Sequence, residues 1–212
     1  MKRMIGWAMT AMTGLVLMSS CTKDPVGNLN EEESRIYITN RDNNANFSAY
    51  KTYSIPDSVY VVDNNNFRGG QATAWDLQAL TAVRTAMESR GYVRVARNQS
   101  PDLGINVSRL YNTTANLVNL QDYWGGYGGY YDPFYWGYGG YGYGYPSAYA
   151  YVESTEAMAS VDILDLKNAA ASQKINVIWN GLVRGSGIFS TNTVNTSIQA
   201  LFEQSTYIKT TQ

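Results

Sequence analysis

The chain has 212 residues, 44% of them hydrophobic, with 16 basic and 17 acidic side chains and a formal net charge of −1. That length suits one domain with a proper core, and the charge balance lacks the basic excess that nucleic-acid binding needs. There is no histidine and a single cysteine, which excludes histidine-dependent triads, the usual zinc and copper sites and any intramolecular disulfide.

At the N-terminus, Lys2 and Arg3 precede an apolar run from Met4 to Met18, and Ser19 and Ser20 then lead into Cys21. A basic, apolar and small-residue order of this kind marks a secretory signal peptide. The run is also shorter than the ~20 residues a helix needs to cross a bilayer. Residues 1–20 are therefore expected to be a signal peptide, with Cys21 diacylated and its amine acylated after cleavage. Several acyl chains at ~0.8 kcal/mol per buried methylene anchor a protein durably. The expected location is the cell envelope, most simply the outer membrane, on its periplasmic face or at the surface. Residues 21–34 are polar, with Glu31, Glu32 and Glu33 in a row, and read as a tether. The mature chain keeps 14 basic and 17 acidic residues.

A single α+β domain is expected over 35–208. Period-two alternation marks strands at Ile36 and Ile38; Tyr53 and Ile55; Leu103, Ile105 and Val107; Val161 and Ile163; and Ile175, Val177, Trp179 and Val183, each with one apolar face inward. Thr73 and Asp76 form a capping pair for a helix over 74–90 with Leu77, Leu80, Val83 and Met87 as its core stripe and Gly91 as its stop. A second helix over 194–204 carries Val194, Ile198, Leu201 and Phe202 on one side. Strands 102–111 and 157–166 are expected to pair as a hairpin, as are 157–166 and 175–184. The expected fold is a mostly antiparallel sheet with two helices packed on one face, plus a long Gly/Tyr-rich insertion.

That insertion, residues 123–149, holds 9 glycines, 13 aromatics and one acid, Asp132. Glycine raises the entropy cost of order, so regular structure is not expected there. Its rings, Trp124, Tyr127, Tyr130, Tyr131, Phe134, Tyr135, Trp136, Tyr138, Tyr141, Tyr143 and Tyr145, form a candidate binding loop for an envelope protein or a glycan; the plainer reading is a flexible insertion packed loosely over the domain. On the expectation that the flanking strands are complete without it, the loop is dispensable for folding.

No catalytic residue, metal site or cofactor is expected. Asp162 and Asp165, three apart on a strand, face opposite ways. Asp42-Asn43-Asn44-Ala45-Asn46 looks oxygen-rich, but Phe47 stands where a calcium loop needs glycine, so a solvated turn is the better reading. Asp57-Ser58-Val59 matches a short O-glycosylation acceptor pattern at Ser58. The function expected is that of a non-enzymatic structural or binding module; the alternatives are a carboxylate-dependent glycan-acting enzyme, or an accessory or lipid-carrying subunit of an envelope machine.

Phe47 to Tyr53 (FSAYKTY), the helix ending in Arg90-Gly91-Tyr92, Pro101-Asp102-Leu103 opening a strand, the strand Val161 to Asp165, and Ile178-Trp179-Asn180-Gly181 before a final amphipathic helix occur in this order. Together they resemble the lipoprotein family known as domain of unknown function 4136, over roughly residues 35 to 205. The chain departs from the family pattern at Ser205-Thr206-Tyr207, where a proline is usual. The resemblance implies an envelope lipoprotein, often with a Gly/aromatic insertion, and carries no catalytic residues. Lys23 and Asp24 after the cysteine also resemble the surface-export signal of Bacteroidetes lipoproteins.

Overall fold

The computed structural model describes residues 34–63, 66–111, 118–119, 132–144, 149–150 and 157–210. Cys21 and most of the tether lie outside the described residues, as do Trp124, Tyr127, Tyr130, Tyr131 and Tyr145. Among the described residues no helix is long and apolar enough to cross a membrane.

The framework is four antiparallel strands in the order β1 (Ile36–Arg41), β11 (Lys174–Arg184), β10 (Met158–Asp165) and β6 (Leu103–Tyr111). Both expected hairpin pairings are present: Leu103↔Asp165 through Leu110↔Met158, and Asp165↔Asn176 through Met158↔Arg184. Beyond β6 the chain departs from the expectation. β2 (Thr52–Ser54) and β3 (Val59–Asp63) both run parallel to β6, at its start and its end respectively. Pro56, which lacks an N–H, sits in the break between them. β4 (Asn66–Gln71) pairs with β3, β5 (Val93–Arg94) adds parallel to β2, and β7 (Val118–Asn119) and β9 (Tyr149–Ala150) pair antiparallel as a separate two-stranded sheet. The sheet is therefore mixed and open, rather than mostly antiparallel.

Helix α1 (Ala74–Glu88) begins at the expected capping box: the Thr73 backbone N–H donates to Asp76 Oδ2 at 2.7 Å, and the Asp76 N–H donates to Thr73 Oγ1 at 3.4 Å. It ends where Gly91 takes φ +90°, and the Tyr92 N–H reaches back to the Met87 carbonyl at 3.2 Å. Leu80, Val83 and Met87 are buried, but Leu77 is 50% exposed. The inward stripe runs through Asp76 instead, because Arg109 on β6 reaches that carboxylate at 2.7 Å. The last helix, α3 (Val194–Glu203), buries Val194, Ile198, Leu201 and Phe202 as expected. Both helices share one core with Tyr53, Leu103, Ile105, Val107, Val161, Ile163, Trp179 and Val183 from one face of the sheet. A third helix, α2 (Ala169–Ser172), is a single turn between β10 and β11.

The other face carries a second, smaller core: Trp136, Leu164, Leu166, Ala169, Ile175 and Val177. Ile175 and Val177 were expected to share a face with Trp179 and Val183. A bulge prevents this, since Leu164 pairs with Val177 and Ile163 with Trp179, which leaves Ile178 as an extra residue that switches the alternation. On β1 the apolar pair also misses the main core. Tyr37 packs there, whereas Ile36 is 44% exposed and Ile38 only half-buried.

Candidate functional site

The described part of the aromatic insertion, residues 132–144, is built from local turns. Asp132 Oδ1 accepts the Phe134 N–H at 2.9 Å, its carbonyl accepts Tyr135 N–H at 2.9 Å, and the Pro133 carbonyl accepts Trp136 and Tyr138 N–H at 3.1 and 2.8 Å. An aspartate followed by proline is a strong turn starter, and Gly137, at φ +87°, lets the chain double back. The turn drops the Trp136 indole onto the second face of the sheet, where it is 5% exposed. Gly104 makes this approach feasible: a Cβ there would meet the Trp136 ring and Leu166 Cδ1, each at 3.1 Å. Further on, the Tyr138 hydroxyl donates to the Leu166 carbonyl at 2.9 Å. Residues Gly142–Gly144 then form β8, parallel to Lys174–Asn176 of β11. A Cβ at 144 would meet the Asn176 side-chain oxygen, so a larger residue there would have to turn that amide aside. Contrary to the expectation, this stretch includes a strand, and part of it belongs to the core.

The predicted loop residues thus divide. Trp136 is an anchor, and Tyr138 and Tyr143 pack against its cluster; burial raises the Tyr138 phenol, and burial, then the charges of Asp132 and Asp162, raises that of Tyr143 well above the usual value. Phe134 is 75% exposed. Tyr141 stacks on Tyr138 with ring centroids 5.6 Å apart. Tyr135 lies edge-on to Trp136 at 4.8 Å, and the Arg97 guanidinium covers the Tyr135 ring at 4.6 Å while donating to the Tyr135 carbonyl. Beside Tyr135 a groove of about 450 Å³ opens, lined by Asp57, Arg94, Arg97 and Gln99. Asp57 bridges Arg84 at 2.7 Å and Arg94 at 2.9 Å. Its neighbour Ser58 is half-buried.

Three of the acids that carboxylate chemistry would draw on, Asp76, Asp102 and Asp165, are held by structural partners. Asp76 is fully buried against Arg109, whose guanidinium lies 5.7–5.8 Å from the rings of Trp75, Tyr111 and Phe189. Asp102 accepts the Lys51 and Thr52 N–H groups at 2.7 and 3.2 Å. Asp165 takes the Asn168 N–H at 3.0 Å and its amide at 2.7 Å. The Asp42 loop is a turn: Asp42 accepts Asn44 N–H at 2.9 Å, and Asn46 caps Ser48 at 3.2 Å. Among the described residues no group of three or more His, Cys, Asp or Glu side chains could hold a metal ion.

One arrangement was not anticipated from the sequence. Asn40, Asn180, Asp162 and Asn106 stand in register across β1, β11, β10 and β6. Asn180 donates to Asp162 at 2.6 Å, and Asn106 and Asp162 are fully buried. The available signal was the polar residue at every second position opposite Ile105, Val107, Val161, Ile163 and Trp179, which reads as a solvent face until a second layer covers it.

No curated protein matches the chain. The crystal structure of a DUF4136 family protein from Bacteroides thetaiotaomicron superposes with a TM-score of 0.65 at 28% identity, covering 83% of this chain and 98% of that one. A PelC dodecamer from Paraburkholderia phytofirmans superposes with a TM-score of 0.41 at 10% identity, covering 84% and 99%. Residues 38–205 match the model of the family described as a domain of unknown function, DUF4136, and the chain belongs to that family.

Proposed function

We propose that this protein is a lipid-anchored module of the cell envelope, held through Cys21, that works by binding and not by catalysis. The observation that carries the binding reading is the division of labour within residues 132–144. Trp136, 5% exposed, pins the segment to the sheet, while Phe134, its ring lying against Gly139, is held 75% exposed. A large apolar ring held outward on a pinned turn loses little entropy on meeting a partner. The non-catalytic reading is supported by the absence of histidine from the sequence and by the structural occupation of Asp76, Asp102 and Asp165. The partner is an envelope protein or a glycan.

Crosslinking in intact cells, followed by capture of the full chain, tests this. Wild-type protein should carry partners or retained glycan that Phe134→Ser loses at an unchanged melting temperature. Equal recovery from both would remove the aromatic face as the binding site. Hydrolysis of a glycan by the purified protein, abolished by substituting two neighbouring acids, would overturn the non-catalytic reading.

A further inference from the structure

On the helix side of the sheet, away from the aromatic segment, the chain after α3 does not trail off. Trp179 Nε1 donates to Ser205 Oγ at 2.9 Å, Ile208 is fully buried, and the Thr210 N–H donates to the Arg90 carbonyl at 3.0 Å. Residues 205–210 are thereby pinned against the end of α1 and the turn after β1. Between these three pieces lies a groove of about 820 Å³. Its charged lining is Arg41, Arg90 and Lys209, and no carboxylate contributes to it. This is an uneven distribution for a mature chain with more acids than bases.

Two of the cations, Arg41 and Arg90, are placed by their contacts, and the charge is not cancelled within the groove. Arg41 Cζ lies over the Tyr207 ring at 4.5 Å from its centroid, and Nε donates to Asn43 at 3.2 Å. Tyr207 is in turn braced by Phe47 at 5.4 Å. Arg90 lies over Phe202 at 5.1 Å and donates to the Ala86 carbonyl at 3.1 Å. Among the described residues none of the three cations is in an ion pair within 4.0 Å. The nearest acids lie to the side: Glu203 acts on Arg90 from α3, and Asp42 is engaged in its own turn. Burial lowers the Arg90 pKa, and Glu203 only partly offsets this, so the cation is short of solvation. The remaining polar lining is Asn46, Ser48, Ser89, Thr206 and Thr210, which supplies hydroxyl and amide groups suited to hydroxyls on a ligand.

We infer that this groove is a second binding site, for an acidic saccharide: a sugar unit bearing a carboxylate or sulfate, its charge between Arg41, Arg90 and Lys209 and its hydroxyls on the Ser/Thr/Asn lining. The size argues against a bare oxyanion, which would fill little of 820 Å³. A glycerol headgroup would share the anion chemistry, but its few hydroxyls on a short flexible chain would engage less of the Ser/Thr/Asn wall than a sugar ring. The site stands apart from the aromatic face, since no residue of 132–144 lines it.

The test is calorimetric titration of the full detergent-solubilised lipoprotein with tri-galacturonate and a sulfated disaccharide, against neutral galactotriose, inorganic phosphate and glycerophosphoglycerol as the headgroup without its chains. At least one acidic sugar should bind at least about tenfold tighter than the other three probes, and more weakly as salt rises. Arg41→Gln and Lys209→Gln, both at exposed positions, should each weaken that binding by about tenfold, the scale of one charged hydrogen bond. Neither should shift the melting temperature, and if Arg41→Gln does, Lys209→Gln carries the test. Leu77→Ala, at an exposed position of α1 outside the groove, should bind like wild type. Equal binding of galactotriose, equal or tighter binding of phosphate or glycerophosphoglycerol, or full binding by Lys209→Gln would overturn the inference.

Discussion

Arg109 shows how a single residue sets the shape of this domain. From β6 it reaches Asp76 at 2.7 Å and the Tyr111 hydroxyl at 2.6 Å, in a cage of rings. The same carboxylate closes the capping box of α1, so one ion pair fixes both the start of the helix and its rotation over the sheet. Removing one member of a buried pair leaves the other uncompensated, so Arg109→Ala should cost ~3–5 kcal/mol in denaturant unfolding. A methyl at Gly104 would press on the Trp136 ring and Leu166 at 3.1 Å, and because Trp136 is pinned there by its own turn, Gly104→Ala should cost ~1–3 kcal/mol by the same measurement. The buried tyrosines give a pH dependence. Burial raises Tyr50, with Asp165 adding to it; Tyr53, with Glu88 adding; Tyr92; and Tyr143, with Asp132 and Asp162 adding, all above the ordinary 10.0. Each folded-state pKa lies above its unfolded value, so this stability is complete below pH 10 and lost as pH rises beyond it. Absorbance titration near 295 nm should show these phenols ionising only together with alkaline unfolding.

At the scale of elements, what was legible followed from local rules. The capping box and Gly91 delimit α1, the apolar stripe of α3 lies where its spacing puts it, and β6, β10 and β11 follow from their alternation, β10 and β11 as near neighbours in the chain and β6 and β10 as the strands that flank the aromatic insertion. The parallel pairing of β2 and β3 with β6 was not legible, because a parallel partner is reached by a crossover through α1 and not by a hairpin, and the alternation of a short strand does not say which edge it joins. The two-residue β5 offers too short a pattern, and the bulge at Ile178 has no composition signal in an apolar run. For the candidate site, the aromatic residues were visible as a group, but which would be buried was not. That depended on Gly104 being opposite Trp136 and on an open edge of β11 being available to β8. Deleting 124–148 therefore removes core, not only loop. Trp136→Ala should cost ~3–5 kcal/mol, and the deletion at least as much; a melt within a few degrees of wild type for either would show that the second core is dispensable.

For the whole molecule, the envelope reading rests on the N-terminus and the binding reading on the aromatic face. Mass spectrometry of the membrane form should find Cys21 as the modified N-terminal residue, and Cys21→Ala should accumulate unprocessed precursor; an unmodified cysteine would contradict the anchor. The two readings meet in cells, where an anchored module must find its partner beside the membrane. The most direct measurement places a photo-crosslinking amino acid at Phe134, on the aromatic face, and separately at Leu77, an exposed apolar position on α1. Irradiation of cells expressing the full chain should give discrete adducts from position 134 that are absent from position 77. The same adducts from both positions, or none from 134, would contradict the binding role of the aromatic segment.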